Sequence, residues 1–202
     1  MVYLIGASGH AKVIIEILEE LNIPIHALQD VNPAITSLLG YEVLQELPES
    51  FNTVTDRIII SIGNNAIRKK LTTLTDRKFF TAVHPSANVS RRSSIGEGSV
   101  VMAGVSINSS VVIGKHAIIN TNASVDHDCV VGDYVHISPN AAIAGIVEIG
   151  EGTHVGIGAS IIQGVTIGKW CTIGAGAVII KDVPDGATVV GNPGRIIKTK
   201  SI

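Results

Sequence analysis

The chain has little of what most folded domains are packed with. Only 3% of its 202 residues are aromatic, with a single Trp, three Tyr and three Phe. A core without large rings has to be narrow and filled by Val, Ile and Ala. Cysteine is limited to Cys129 and Cys171; they read as buried free thiols, neither disulfide nor metal pair, in a reduced, cytoplasmic compartment. No apolar run reaches the roughly 18 residues of a membrane span without Gly or polar interruption. The start, MVYLIGASGH, lacks the basic residues and long apolar run of a signal peptide. Charge is close to balance, with a net −2 and a pI near 6.4, so nothing in it calls for nucleic acid or an anionic membrane.

What is present is a period of six. Stepping from Val83 to Ile179, seventeen consecutive positions are Val or Ile. Two residues before the step the side chain is usually small, as at Ser99, Ala117, Cys129, Ala141 and Cys171. Gly, Asn or Asp often follows it, as at Gly96, Asn120, Asp126 and Gly150. Alternate side chains of an extended segment share a face, so the aliphatic and the small residue both point inward. The residue after the aliphatic is expected to take the unusual backbone angles of a sharp corner. Three hexads, roughly 18 residues, close one triangular turn, and stacked turns bury a shared core. An α-helix is excluded by β-branched residues interleaved with glycine. The period predicts a parallel β-helix of the hexapeptide type over residues 81–183, ending at Lys181-Asp182-Val183-Pro184. Residues 184–202, with Gly191-Asn192-Pro193-Gly194-Arg195, are expected as a short tail capping it.

Residues 1–80 lack the hexad. Val2–Ile5 reads as a strand, followed by the turn Gly6-Ala7-Ser8-Gly9-His10-Ala11-Lys12. Val13, Ile14, Ile17, Leu18 and Leu21 then recur at helical spacing opposite Glu16, Glu19 and Glu20. Ile25–Leu28 is a second strand closing on Asp30. After an irregular stretch, residues 57–62 read as a buried parallel strand bounded by Gly63-Asn64-Asn65, and Ala66–Leu74 as a helix. This is a small Rossmann-like α/β unit, expected to sit on the first coil and cover its open edge. A glycine-rich strand–helix turn lets a phosphate approach backbone N–H groups, and Asp30 would accept hydrogen bonds from a ribose or base. The turn falls short of a full dinucleotide fingerprint and suits a single nucleotide diphosphate better. A tight turn with no ligand is the plain alternative.

In the coil, His127 lies two places after the inward Val125, at an exposed corner beside Asp128. Gly145, 18 residues on, occupies the same column one turn along. A histidine with an acidic neighbour facing a position without a side chain outlines a general base beside an oxyanion donor. A solvated surface residue is the plain alternative for any one histidine. His136 and His154 point outward and stack in adjacent coils, while Lys115, His116, Asp133 and Lys169 read as ordinary surface.

Four segments, GASGHAK (6–12), SIGNNAIRKKL (61–71), SVDHDCVVGDYVHIS (124–138) and GNPGR (191–195), together resemble the NeuD/PglD family of sugar acyltransferases across essentially the whole chain. The resemblance implies a left-handed β-helix, a homotrimer with active sites between subunits, acetyl-CoA as co-substrate, and a UDP-4-amino-4,6-dideoxy sugar as acceptor. It implies His127 as base, assisted by Asp128, with the Gly145 N–H for the oxyanion. His136 would contact the thioester region. Asn120, Ile157, Gly174, Ala175 and Gly176 would form the pantetheine groove, and Ser8, Gly9, His10, Asp30 and Gly63 would touch the nucleotide sugar. Ala175 stands where relatives can have Gly, and Asp128 where some have Glu.

Transfer is expected to be direct, because the cysteines are inward and no Ser sits beside a histidine in a nucleophile motif. O-acetylation of a hydroxyl, as in NeuD-type members acting on sialic acid, uses the same residues and stays open. So does a non-catalytic trimeric scaffold that senses nucleotide sugar. A metal site is not expected. The γ-class carbonic anhydrases use a closely spaced histidine pair on this kind of coil, and here the nearest spacing is His127 to His136.

Overall fold

The computed structural model describes residues 1–73 and 77–201. At the N-terminus, β1 (Val2–Ile5) lies between β2 (Ile25–Gln29) and β5 (Arg57–Ile60), parallel to both. Helix α1 (Gly9–Glu20) buries Ala11, Ile14, Ile15, Ile17 and Leu18 on the stripe its spacing predicts. The stretch expected to be irregular holds β3 (Ser37–Leu38) and β4 (Tyr41–Leu44), which complete a five-stranded sheet. Helix α2 spans Asn65–Thr73. Leu74, its expected end, and Ile202 of the tail lie outside the described residues.

The period of six becomes backbone geometry without a slip. Among the described residues, seventeen two-residue strands run from β6 (Ala82–Val83) to β22 (Val178–Ile179), each ending on a step residue. They pair in parallel at a separation of 18, as Ile119↔Ile137↔Val155, and form three sheets. Step residues and small residues fill one continuous core, from Val101, Ile107 and Ala117 to Ile173 and Ala177. Replacing one such buried Ile by Ala would cost about 2–5 kcal/mol.

The corners correct the sequence reading. The left-handed residue is three places after the step, not one: every sixth residue from 98 to 176 has positive φ, including His116, Asp128, Tyr134, Ile146 and Trp170. Glycine just after the step answers a different need. A Cβ on Gly96 or Gly150 would lie 2.5 or 2.6 Å from backbone of the next turn. Three ladders of backbone hydrogen bonds mark the three edges of the prism. One runs through Thr121, Pro139, Ile157 and Gly176, a second through Ser109, His127 and Gly145, and a third through Lys115, Asp133 and Glu151.

The α/β unit reaches further than the open edge of the first coil and lies along one flank. Val100, Met102 and Ile118, outward by phase, are buried with α1 residues in one cluster. His116, expected on the surface, is 4% exposed and stacks on Tyr134 at 5.4 Å. The tail is structured too: β23 (Ala187–Val190) extends the flank sheet in parallel from β21 (Thr172–Ile173), and β24 (Arg195–Thr199) returns antiparallel.

Candidate active site

On the second edge, the turn between β13 (Ser124–Val125) and β14 (Val130–Val131) carries Asp126, His127 and Asp128. His127 Nδ1 is 2.8 Å from Asp128 Oδ2, so the proton sits on Nδ1 and Nε2 keeps its lone pair. Asp126 Oδ1 accepts from the His127 backbone N–H and from Asn108 Nδ2, both at 2.7 Å. The imidazole pKa is raised, first by the bond to Asp128 and then by the Asp126 charge. Asp128 itself has a φ of 58°, a conformation that Asp and Asn tolerate. Its backbone therefore asks for this residue type as much as its partner does.

The ring lies directly over Gly145. A Cβ there would stand 2.7 Å from both Cε1 and Nε2 of His127, so only glycine admits the imidazole in this place. The carbonyl of Gly145 accepts from Gly164 N–H, while its own N–H has no acceptor among the described residues. A basic nitrogen thus sits beside an unused donor.

His136 opens β15 (His136–Ile137) on the flank beneath the α/β unit. Its ring stacks on His154 at 4.9 Å and lies 6.4 Å from His10. Asn120 Oδ1 accepts from Thr121 N–H, which turns Nδ2 toward His136 Nε2 at 3.1 Å. Nε2 is therefore an acceptor and the ring proton sits on Nδ1. Burial, then the neighbouring His154, pushes its pKa down to about 3, against a backbone hydrogen bond to Gly63 that favours the cation. His10 falls to about 4 through burial, then Arg68, and its Nε2 is buried without a hydrogen-bond partner among the described residues. No group of three His, Cys, Asp or Glu able to hold a metal occurs among the described residues.

At the start of α1, Ser8 is the N-cap without a side-chain cap bond, and the N–H groups of Gly9 and His10 find no acceptor among the described residues. The first turn holds no acidic residue, so the positive helix end is open to an anion. Gly6 is fixed by a φ of 106° and by Ile62 Cγ1, 2.7 Å from where its Cβ would be. Asp30, expected to contact the nucleotide sugar, also accepts bonds from within the fold. Its Oδ2 accepts from Ala7 N–H at 2.8 Å and its Oδ1 from Asn32 N–H at 2.9 Å. Its carboxylate orders the turn, and Ala7 N–H is not free for phosphate.

Asn120, Ile157 and residues 174–176 share the first edge: Gly176 N–H donates to Ile157 C=O, and Ile157 and Ala175 are exposed. The structure therefore unites His127, Asp128 and Gly145 on one edge, the groove residues on another, and His136, His10 and Gly63 on the flank, where Asn120 reaches His136 from its edge. Within one chain it does not join His127 to His136. Sequence reading passed over Arg68, which fixes the flank cluster; a lone Arg in a basic helix segment carries no signal of burial.

Comparisons with known proteins agree with this architecture. The PglD N-terminal domain model matches residues 1–74, and the bacterial transferase hexapeptide model matches 110–145 and 146–181. A UDP-N-acetylbacillosamine N-acetyltransferase of Bacillus subtilis (strain 168) is 40% identical over 111 residues, 50% of this chain and 51% of that protein. The chain thus matches about half the length of this curated relative. The acetyltransferase domain of PglB from Neisseria gonorrhoeae FA1090, solved with acetyl coenzyme A, is 39% identical with a TM-score of 0.92, covering 97% of this chain and 98% of that one. PerB from Caulobacter crescentus, solved with CoA and GDP-perosamine, is 39% identical with a TM-score of 0.91, covering 98% and 97%.

Proposed function

We propose that this chain, which belongs to the NeuD/PglD family of sugar acyltransferases, transfers acetyl from acetyl-CoA to the amine of a nucleotide-linked amino sugar, specifically a UDP-4-amino-4,6-dideoxy sugar. The observation that carries the reading is the His127 corner: an acid-paired imidazole lying over Gly145, whose N–H is unused. The named activities and ligands of the relatives support the class; the curated relative's name carries a UDP sugar and PerB was solved with GDP-perosamine, so the nucleotide is a point for the test.

In this reading the amine attacks the thioester carbon while His127 Nε2 removes its proton. Negative charge grows on the thioester oxygen and is met by the Gly145 N–H. Carbon–sulfur cleavage then releases CoA thiolate, which takes up a proton. A positioned base contributes about 10²–10⁴ in rate and an oxyanion donor about 10²–10³. No acyl-enzyme is formed, in keeping with Cys129 and Cys171, buried thiols whose pKa values are raised by burial. The phosphates would sit at the open N-terminus of α1, with Ser8, Gly9, His10 and Gly63 along the nucleotide sugar. Asn120, Ile157, Gly174, Ala175 and Gly176 would hold the pantetheine arm.

Because these groups lie on different edges of one prism, a complete site needs a second copy presenting its His127 edge to this chain's groove and flank. A homotrimer of left-handed coils, divided at residues 80 and 183, satisfies that need.

The test is thiol release from acetyl-CoA with a UDP-4-amino-4,6-dideoxy sugar, its GDP counterpart, a UDP-sugar lacking the amine, and CMP-sialic acid. Release only with an amine, fastest with UDP, is the expected result. Release only with sialic acid would replace N- by O-acetylation. Nucleotide binding without release from any acceptor would leave a scaffold.

A further inference from the structure

Arg68 is 1% exposed and is the largest fully buried side chain, yet none of the ion pairs among the described residues includes it. Its five N–H groups meet five neutral oxygens. Nε donates to His116 C=O at 2.7 Å, Nη1 to Ile62 and Gly63 C=O at 3.0 and 3.2 Å, and Nη2 to Asn65 Oδ1 and Tyr134 C=O at 2.9 and 2.8 Å. A buried cation is costly unless every donor is satisfied, and one carboxylate would have answered the charge more simply. What five carbonyl-type oxygens supply instead is location.

These oxygens come from three places. His116 and Tyr134 are the left-handed corner residues of successive turns on the third edge, so the guanidinium spans one rise of the coil. Ile62 and Gly63 lie in the loop between β5 and α2, and Asn65 opens α2. Asn65 also donates Nδ2 to Gly152 C=O at 3.0 Å, one turn further along. Gly63 and His136 line the same cavity, and His136 Nε2 in turn meets Asn120 Nδ2 at 3.1 Å. One side chain thus ties the height of the α/β unit on the coil to the loop that faces His136.

We propose that Arg68 is a positioning residue, registering the nucleotide-sugar domain on the coil and holding the Ile62–Gly63 turn against His136 so that the acceptor amine arrives at a fixed place. The proposal rests on the function proposed above. Arg68 is too deep to touch substrate, and it would act through Gly63 and His136. Lysine keeps the charge but has no planar fork, so it cannot span the same oxygens.

The experiment compares the full chain with R68K, H136N and the double variant. A misplacement of about 1 Å costs about 10² in turnover. R68K is therefore expected to lose about tenfold to a hundredfold in kcat while its calorimetric Kd for CoA stays within about twofold. If the link runs through His136, the double variant falls no further than the weaker single one. Wild-type kcat and KM in folded R68K, or losses that multiply in the double variant, would overturn the proposal. Should R68K not fold, N65A, which removes one of the five acceptors, must show the same split on a smaller scale. Imidazole ¹⁵N spectra at pH 7 provide an arm independent of turnover. Wild-type His136 should be a single Nδ1–H tautomer, and R68K a mixture. If the wild type acetylates nothing, the proposed function fails, and unchanged His136 signals in R68K would then sink this inference separately.

Discussion

His127 and His136 are nine residues apart in one array, and their surroundings push them in opposite directions. His127 stands exposed on an edge, bonded to Asp128 with Asp126 beneath it, and its pKa is raised. His136 lies under the α/β unit among His10, His154 and the Arg68 cation, and its pKa is pushed to about 3. Titratable groups whose environments separate their proton affinities separate their roles. His127 can exchange a proton near neutral pH, while His136 stays neutral and holds its neighbours by a fixed tautomer. The two phases of the repeat bring this about. His127 follows the step by two and leaves the prism at a corner, whereas His136 precedes the step and lies flat on a sheet that another domain covers.

The sharpest break of this contrast would come from H127A. Turnover should fall by about 10²–10⁴ with the melting temperature unchanged, since the side chain is exposed and its neighbours are polar. Retained turnover would remove the base. G145A comes next, with a loss of about 10²–10³. The backbone at 145 is not left-handed, so alanine is conformationally allowed, but its methyl would occupy the space of the imidazole. A G145A protein as active as the wild type would mean that the ring does not need its place over this position.

D128N sharpens the same side. Asn keeps the left-handed corner but removes the carboxylate that heads the causes raising the His127 pKa. The acidic limb of kcat/KM, where the base becomes free as pH rises, should move to lower pH. Turnover should drop about tenfold to a hundredfold, less than the about 10⁴ of a buried triad aspartate. A limb that does not move would assign it to another group.

Much of this contrast was legible in the residues. The spacing of His127 from Val125, and of Gly145 from His127, is arithmetic on a period that never slips, so the two residues could be paired on paper. The outward phase of His136 was legible for the same reason, but its partial burial was not. A six-residue pattern states which way a side chain leaves the coil and nothing about what covers it. Val100, Met102, Ile118 and His116 carry outward phases and are buried, because α1, α2 and the 77–80 segment lie on that flank. Asp30 lies just past the end of β2, and each of its oxygens accepts one bond within the fold, from Ala7 and Asn32, a local engagement that sequence does not display. The glycines just after the step, such as Gly96 and Gly150, misled in a different way, since they are required by the next turn's backbone and not by their own dihedral angles.

The smallest expected effect tests the buried side. Burial holds His10 and His116 at about 4 and His136 at about 3, below the 6.5 of an unfolded chain. As pH falls through 6.5, the unfolded chain binds protons that these folded rings refuse, so stability declines with acid, and each ring's share of the decline levels off near its own folded pKa. His127 has the opposite sign: its raised pKa adds stability at low pH that is lost as pH rises through that value, and its exposure keeps the contribution small. Urea midpoints between pH 6.5 and 4.5 should therefore fall more steeply in the wild type than in H116N, where Asn tolerates the left-handed corner and has no proton to refuse. The difference should approach one proton in slope. Carboxylates titrate in both proteins and largely cancel in the comparison. Equal slopes would mean that the α/β unit does not keep this flank from water, and the separation between the two histidines would lose its cause.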